Sequence, residues 1–322
     1  GALDLGVSID PEAISLESVL FENGKIVYRD DVSSDGVLLQ NVAGELKATS
    51  LVGPLNFDGT FEFQDQSYAL SLGVGAFGGD RAFPVNIDLN APALGWDASF
   101  SGLSTDATAS ARLDGTVEFR LGALDQDEET SSFLQLNAGL VGNSEAVSLR
   151  DVELVIAGTL LKGKAEIALQ SEPSITASLA GTRLALDSIM TSFETADISA
   201  GLVQIPKGLL GQLDLTVADL SYGGAHASNA KADLRIQGGD LLIRSLTADL
   251  PGESSAEVNG TISLVQGTPR FDGSLDATIN NVGGFVAWLH DSVGVEGDAA
   301  AAGASSGPIR VQSEFALHAV CS

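Results

Sequence analysis

Phe61-Glu62-Phe63-Gln64-Asp65-Gln66-Ser67-Tyr68-Ala69-Leu70-Ser71-Leu72 is the stretch that decides the fold. Apolar and polar residues alternate on both sides of Asp65-Gln66, and in an extended chain successive side chains point to opposite faces. Phe61 and Phe63 therefore share a face, and a tight turn at Asp65-Gln66 brings Leu70 and Leu72 onto that same face. The reading is a hairpin with one covered side and one wet side.

The alternation recurs from end to end. Val85-Asn86-Ile87-Asp88-Leu89, Val117-Glu118-Phe119-Arg120-Leu121, Leu213-Asp214-Leu215-Thr216-Val217, Leu234-Arg235-Ile236-Gln237, Ile262-Ser263-Leu264 and Leu275-Asp276-Ala277-Thr278-Ile279 all carry it. Asn23-Gly24, Asp35-Gly36, Asp58-Gly59, Asp114-Gly115, Gly238-Gly239-Asp240 and Asp272-Gly273 read as the turns between strands, because Gly and Asn supply positive φ. Strands of about five to seven residues, at about 3.3 Å each, make a sheet about 20 Å wide. Helical periodicity is confined to Leu186–Phe193 and to Phe285–Leu289, each read as one or two turns capping the end of a sheet. Phe57-Asp58-Gly59-Thr60 is echoed at Asp114-Gly115-Thr116, Asn259-Gly260-Thr261 and Phe271-Asp272-Gly273-Ser274. The echoes are irregularly spaced, which fits a divergent repeat of hairpins rather than a solenoid of fixed rung.

Composition narrows the function. Sixteen Lys and Arg stand against 43 Asp and Glu, a net charge of -27, so phosphate backbones and anionic headgroups are repelled and nucleic acid is excluded as an electrostatic partner. Charged residues make up only 18% and aromatics only 6%, so the apolar mass is aliphatic and any lipid contact goes through apolar surface. Cys321 is the one cysteine, which rules out an intrachain disulfide. No run reaches the roughly 18 apolar residues of a membrane-spanning helix. The segment from Pro308 to Leu317 reads as a strand begun with nothing to pair against, and the chain is accordingly expected to be a soluble piece of a longer protein.

Candidate chemistry is sparse. Gly73-Val74-Gly75-Ala76-Phe77-Gly78 spells a dinucleotide-binding fingerprint, but Gly79 to Pro84 opens no helix, so a glycine-rich hairpin or bulge is preferred. His226, His290 and His318 lie in unrelated contexts without a ligand-spaced His or Cys, which gives no metal site. Neither a nucleophile elbow nor a phosphate loop occurs, so no catalytic residue and no cofactor is expected. The acidic runs Asp30-Asp31 and Asp125-Gln126-Asp127-Glu128-Glu129 read as solvated loops, with weak calcium binding the minor alternative. Asn259-Gly260-Thr261 has the form of a glycosylation acceptor but falls where a turn is expected. What remains is the apolar stripe: Phe61, Phe63, Leu70, Leu72, Phe119, Leu121, Leu213, Leu215, Leu234, Ile236, Ile262 and Leu264. Two uses fit it. It is either the core between two sheets of a sandwich, or the lining of a long curved sheet that covers lipid tails.

Two stretches resemble the AsmA family of bacterial envelope proteins. In the first, Phe21-Glu22-Asn23-Gly24-Lys25-Ile26-Val27-Tyr28-Arg29-Asp30 is followed by Val42-Ala43-Gly44-Glu45-Leu46 and by Leu51-Val52-Gly53-Pro54-Leu55-Asn56-Phe57-Asp58-Gly59. In the second, Ala232–Ile236, Leu241–Ile243, Leu246-Thr247-Ala248-Asp249-Leu250-Pro251-Gly252 and Pro269-Arg270-Phe271-Asp272-Gly273-Ser274 are similar to that family's repeated unit, and Leu184-Ala185-Leu186-Asp187 lies between the two. The resemblance implies an all-β protein whose elongated, curved antiparallel sheet of repeated hairpins forms an open hydrophobic groove. It also implies a periplasmic segment of a larger protein anchored in the inner membrane by an N-terminal helix, which this chain lacks. That family is linked to outer-membrane lipid homeostasis and proposed to conduct phospholipids.

The expected organisation is an N-terminal β-groove repeat over 1–130 and a middle β-repeat ending in a short helix over 131–210. A C-terminal β-repeat over 211–295 and an Ala/Gly/Ser linker with the start of a further strand over 296–322 complete it. The expected function is non-enzymatic binding and conduction of phospholipid or another acyl-chain lipid, with envelope proteins as further partners. The alternative is a structural or interaction β-sandwich that scaffolds envelope assembly.

Overall fold

A computed structural model of the chain describes residues 14–29, 36–77, 82–106, 111–122, 133–169, 172–195, 208–265, 268–283 and 309–318. Alternation along these residues yields strands β1 (Leu16–Arg29), β2 (Gly36–Ala48), β3 (Leu55–Phe63), β4 (Gln66–Val74), β5 (Phe83–Ala91), β6 (Trp96–Ser104), β7 (Leu113–Leu121), β8 (Leu134–Gly142), β9 (Ala146–Ile156), β10 (Thr159–Ala168) and β11 (Ser174–Ala185). After helix α1 (Leu186–Thr195) come β12 (Leu210–Tyr222), β13 (Ala225–Gln237), β14 (Asp240–Leu250), β15 (Ser254–Val265), β16 (Thr268–Ile279) and β17 (Ile309–His318). All seventeen belong to one sheet, which is elongated and curved and is not closed into a barrel.

Each strand pairs with the next in sequence, antiparallel in every case but one. The exception is β11 with β12, parallel from Ser174 opposite Leu210 to Ala185 opposite Ser221. A parallel pair needs a connection that returns the chain to the other end of the sheet, and α1 begins it. Pairing is continuous from β7 to β8 and from β11 to β12, across positions 130 and 210.

The strands hold 9 to 14 residues, longer than their alternation alone suggested. Asp58-Gly59, Asp114-Gly115 and Asp272-Gly273, read from sequence as turns, sit inside β3, β7 and β16, and Asn259-Gly260-Thr261 sits inside β15. Their glycines serve close approach. Gly59 pairs with Gly44, Gly115 with Gly102 and Gly273 with Gly260. A phenylalanine two residues before one glycine of each pair lays its ring over it. A Cβ on Gly59 would fall 2.7 Å from the Phe57 ring and one on Gly102 2.7 Å from Phe100, and one on Gly273 would strike the Phe271 ring. The Phe-x-Gly spacing therefore marks mid-strand packing, whereas Asp65, at φ of 62°, and Gly238-Gly239, with φ of 66° and 91°, lie between paired strands as foreseen, and Asp35 is outside the described residues.

A second sequence signal was also local. Asn23, Asn41, Asp151 and Asn229 lie within strands at φ of 52°, 49°, 51° and 52°. Asn23, Asn41 and Asn229 fall inside register shifts between Phe21 and Gly24, Gln40 and Ala43, and Ser228 and Lys231, and Asp151 lies beside the shifts where β9 meets β8 and β10. Asn and Asp tolerate this left-handed backbone better than other residues with a Cβ, and bulges bend and twist the strand that carries them. Asn41 and Asn229 also donate side-chain hydrogen bonds to Glu62 (2.6 Å) and Asp249 (2.8 Å). Of the segment Pro308 to Leu317, expected to lack a partner, the described part belongs to β17, which pairs with β16 from Ile309 opposite Ile279 to His318 opposite Arg270. The second expected helix, Phe285–Leu289, lies outside the described residues.

The chain exposes 20536 Å², against about 12,500 Å² for a compact monomer of its mass. Among the described residues, elements in extended contact are hydrogen-bonded neighbours, apart from α1 on β12 and a 3-10 turn, Pro92–Leu94, beside β4.

The glycine pairs give a direct test. Gly115→Ala should lower stability by about 1–3 kcal/mol in urea unfolding, the usual cost of overpacking. Gly139→Ala, where an added Cβ meets only the Arg150 carbonyl oxygen at 3.6 Å, should stay within about 0.5 kcal/mol of wild type.

Candidate functional site

Cross-strand register gathers the stripe onto one face. Phe61 lies opposite Tyr68, Phe63 opposite Gln66, Leu72 opposite both Phe57 and Ile87, and Leu70 opposite Gly59 and Leu89. Phe119 lies between Ala98 and Leu136, and Leu121 between Trp96 and Leu134. Further along, Leu213 joins Ala177 to Leu234, Leu215 joins Leu179 to Ala232, Ile236 joins Gly211 to Leu241, and Ile262 joins Leu241 to Phe271. Leu264 pairs by backbone register with Pro269. The eleven stripe residues whose side chains are described are half-buried, none fully.

Full burial on this face is local. Ala138, Leu149, Val152, Leu161, Ala165 and Leu179 form one cluster across β8–β11, extended by Val117 on one side and by Leu213 and Leu215 on the other. Phe83, Val85 and Phe100 form a second, and Leu140 of β8 packs against it across the space that Gly115 leaves empty. Val217, 1% exposed, lies in a third with Leu184 and Ala230, covered by Leu186 and Ile189 of α1. The Asp187 carboxylate fixes that helix by accepting the Gly223 N–H at 2.9 Å. Two sheets packed face to face would bury the whole stripe. Among the described residues only neighbours, glycine gaps and one short helix shield it.

The sequence reading missed an aromatic ladder on the same face. Phe61 stacks on Tyr68 with centroids 5.2 Å apart, Tyr68 meets Trp96 at 5.9 Å, and Trp96 meets Phe119 at 5.9 Å. Ala91, opposite Trp96 in the register and fully buried, lies beneath these rings. Trp96 was detectable only as the first residue after a turn, because Gly95 interrupts its alternation.

The opposite face is a ladder of cross-strand polar pairs: Ser71 to Asp58 at 2.6 Å, Ser101 to Asn86 at 2.8 Å, Arg120 to Asp97 at 3.0 Å, Ser148 to Glu166 at 2.9 Å and Lys162 to Glu153 at 2.6 Å. Three exposed carboxyls sit below the ordinary range. Glu45 is lowered by hydrogen bonds from Lys47 and Ser18, Asp219 by His226 and then Arg183, and Asp276 by Arg310 and then Gln312.

The remaining sequence motifs gather no chemistry. Gly73 and Val74 end β4, the Gly75 N–H donates to the Pro84 carbonyl at 2.8 Å, and a Cβ on Gly75 would strike the Pro84 ring. That glycine segment leads to β5. His226 contacts Asp219 at 3.1 Å on the polar face, His318 lies in β17, and His290 is outside the described residues, as are Asp30-Asp31, Asp125–Glu129 and Cys321. Among the described residues no group of three or more His, Cys, Asp or Glu could hold a metal ion, and no helix is long and apolar enough to cross a membrane. No family model, no curated protein and no solved structure matches the chain.

A carboxyl lowered by folding stabilises above its unfolded pKa, about 4, and that contribution is lost as pH falls through the lower folded value. Asp276→Asn should therefore melt below wild type at about pH 7, and the gap in Tm should close at about pH 2. An equal gap at both would place the effect elsewhere than in the charge.

Proposed function

We propose that this chain is a non-enzymatic, lipid-conducting segment of an AsmA-like protein, lying in the periplasm and held at the inner membrane by an anchor outside this sequence. Phospholipid acyl chains lie against the apolar face while the Asp, Glu, Ser and Asn ladder meets water. The observation that carries this reading is the continuity of the half-buried aliphatic stripe from β3 to β16, with no second layer over it among the described residues.

Size agrees. Nine residues at about 3.4 Å give a face about 30 Å across, enough for acyl chains that each fill about half of a 30 Å hydrocarbon core. Charge agrees as well, since a chain at -27 holds lipid through apolar contact rather than by attracting phosphate. Movement along the face is passive sliding from strand to strand, driven by lipid gradients at the two ends.

Protein released from envelopes without detergent should carry phospholipid in native mass spectrometry. Leu215→Asp and Phe63→Asp, each checked for an unchanged circular dichroism spectrum, should bind lipid at least about 30-fold more weakly, because a carboxylate against acyl chains costs more than about 2 kcal/mol. A lipid-free wild type, or folded variants that bind lipid as well as it does, would defeat the proposal.

A further inference from the structure

Among the described residues β1 pairs with β2 alone, so its other edge offers unpaired backbone N–H and C=O groups. Natural edge strands are defended by shortness, proline, lysine or charge turned inward. β1 runs to 14 residues, contains no proline, and carries Leu20, Phe21, Ile26 and Val27, which are 71%, 38%, 51% and 49% exposed. Leu20 is the most exposed large apolar side chain among the described residues.

Register gives the face on which each of these residues lies. Phe21, opposite Gly44, meets the Phe57 ring at 6.2 Å on the apolar face, which puts its neighbours Leu20 and Glu22 on the wet one. Gln40 lies opposite Glu62, which alternates with Phe61 and Phe63 and belongs to the wet face. Leu39 and its partner Ile26 therefore take the apolar side, and Lys25 and Val27 the wet side. Leu20-Phe21-Glu22-Asn23-Gly24-Lys25-Ile26-Val27 is thus symmetric about Asn23-Gly24: two apolar residues and an acid precede it, a base and two apolar residues follow, and the faces match. A hairpin would use that symmetry internally. This chain runs on through Asn23-Gly24 as a bulge of β1, with Asn23 at φ of 52°, and leaves the symmetry unused. Glu22 and Lys25 are exposed and form no salt bridge among the described residues.

We infer that β1 is a homodimer edge, pairing antiparallel with β1 of a second copy about a two-fold axis at Asn23-Gly24. Leu20 then lies opposite the partner's Val27 on the wet face, Phe21 opposite the partner's Ile26 on the apolar face, and Glu22 opposite the partner's Lys25, each contact occurring twice. A bulge ordinarily spoils an edge for pairing, but on the axis each copy meets the same extra residue, so the register is kept on both sides. An axis perpendicular to the sheet keeps like faces together, and the apolar faces of the two copies join. Chains of -27 repel at a distance, yet β1 itself has two acidic and two basic residues, and repulsion between the remaining charges is screened beyond about 8 Å in about 0.15 M salt.

Sedimentation equilibrium of the chain, in about 0.15 M salt and at about 50 μM, should give twice its 33.0 kDa. Leu20→Lys, with an unchanged circular dichroism spectrum because that side chain is exposed in the single chain, should weaken association at least about 10-fold. Glu22→Lys and Lys25→Glu should each weaken self-association about 10-fold, since each sets like charges opposite one another at two places. Mixed together, these two variants should associate with each other as the wild type does, because the exchange restores both pairs. A wild type that remains a monomer, as it would if another part of the chain covers this edge, overturns the inference. Oligomers that grow beyond two with concentration overturn it as well, by assigning the contact to β17 of one copy meeting β1 of the next. So does a dimer that tolerates Leu20→Lys and gains nothing from mixing the charge variants.

Discussion

Hydrogen bonding between strands adjacent in sequence is the constraint on which everything else rests. Each strand is held by the one before it and the one after it, so the described residues form a single sheet of seventeen strands, with no second sheet among them to cover it. A single layer has two faces. Alternation sends aliphatic side chains to one and carboxylates, serines and asparagines to the other, and the aliphatic face is left with partial cover. Curvature supplies some of the missing burial, and the devices that permit curvature are local: bulges at Asn41 and Asn229, and glycine pairs under Phe57, Phe100 and Phe271.

That division explains which features were legible in the sequence. Alternation has a period of two whatever the partner strand, so the all-β class and the shared face of Phe61, Leu72, Phe119, Leu215 and Ile262 followed from spacing alone. Asp58-Gly59 was misread because Asp-Gly is the local signature of a tight turn, and nothing local distinguishes that from a glycine kept small for the glycine across the ladder. Taking such pairs as turns cut the expected strands to about half their length. Asn23-Gly24 failed in the same manner, as a bulge inside β1 rather than a loop. The Tyr68–Trp96 contact was beyond reach, because it spans β5 and needs the register of three strands.

The electrostatics belong to the same design. Carboxylates are concentrated on the wet face and in the connections, where water and a few arginines and lysines accommodate them, and the pairs they form are exposed and contribute little each. At a net charge of -27, copies of the chain repel one another.

Leu72 and Ser71 are neighbours in β4 on opposite faces of the sheet, and they provide the most direct measurement of what that face does. With the photoreactive residue p-benzoylphenylalanine placed at each position and the protein irradiated in living cells, the proposed function predicts a phospholipid adduct at position 72 and none at 71. Adducts at 72 that contain protein and no lipid, or lipid adducts equally at both positions, would contradict the account.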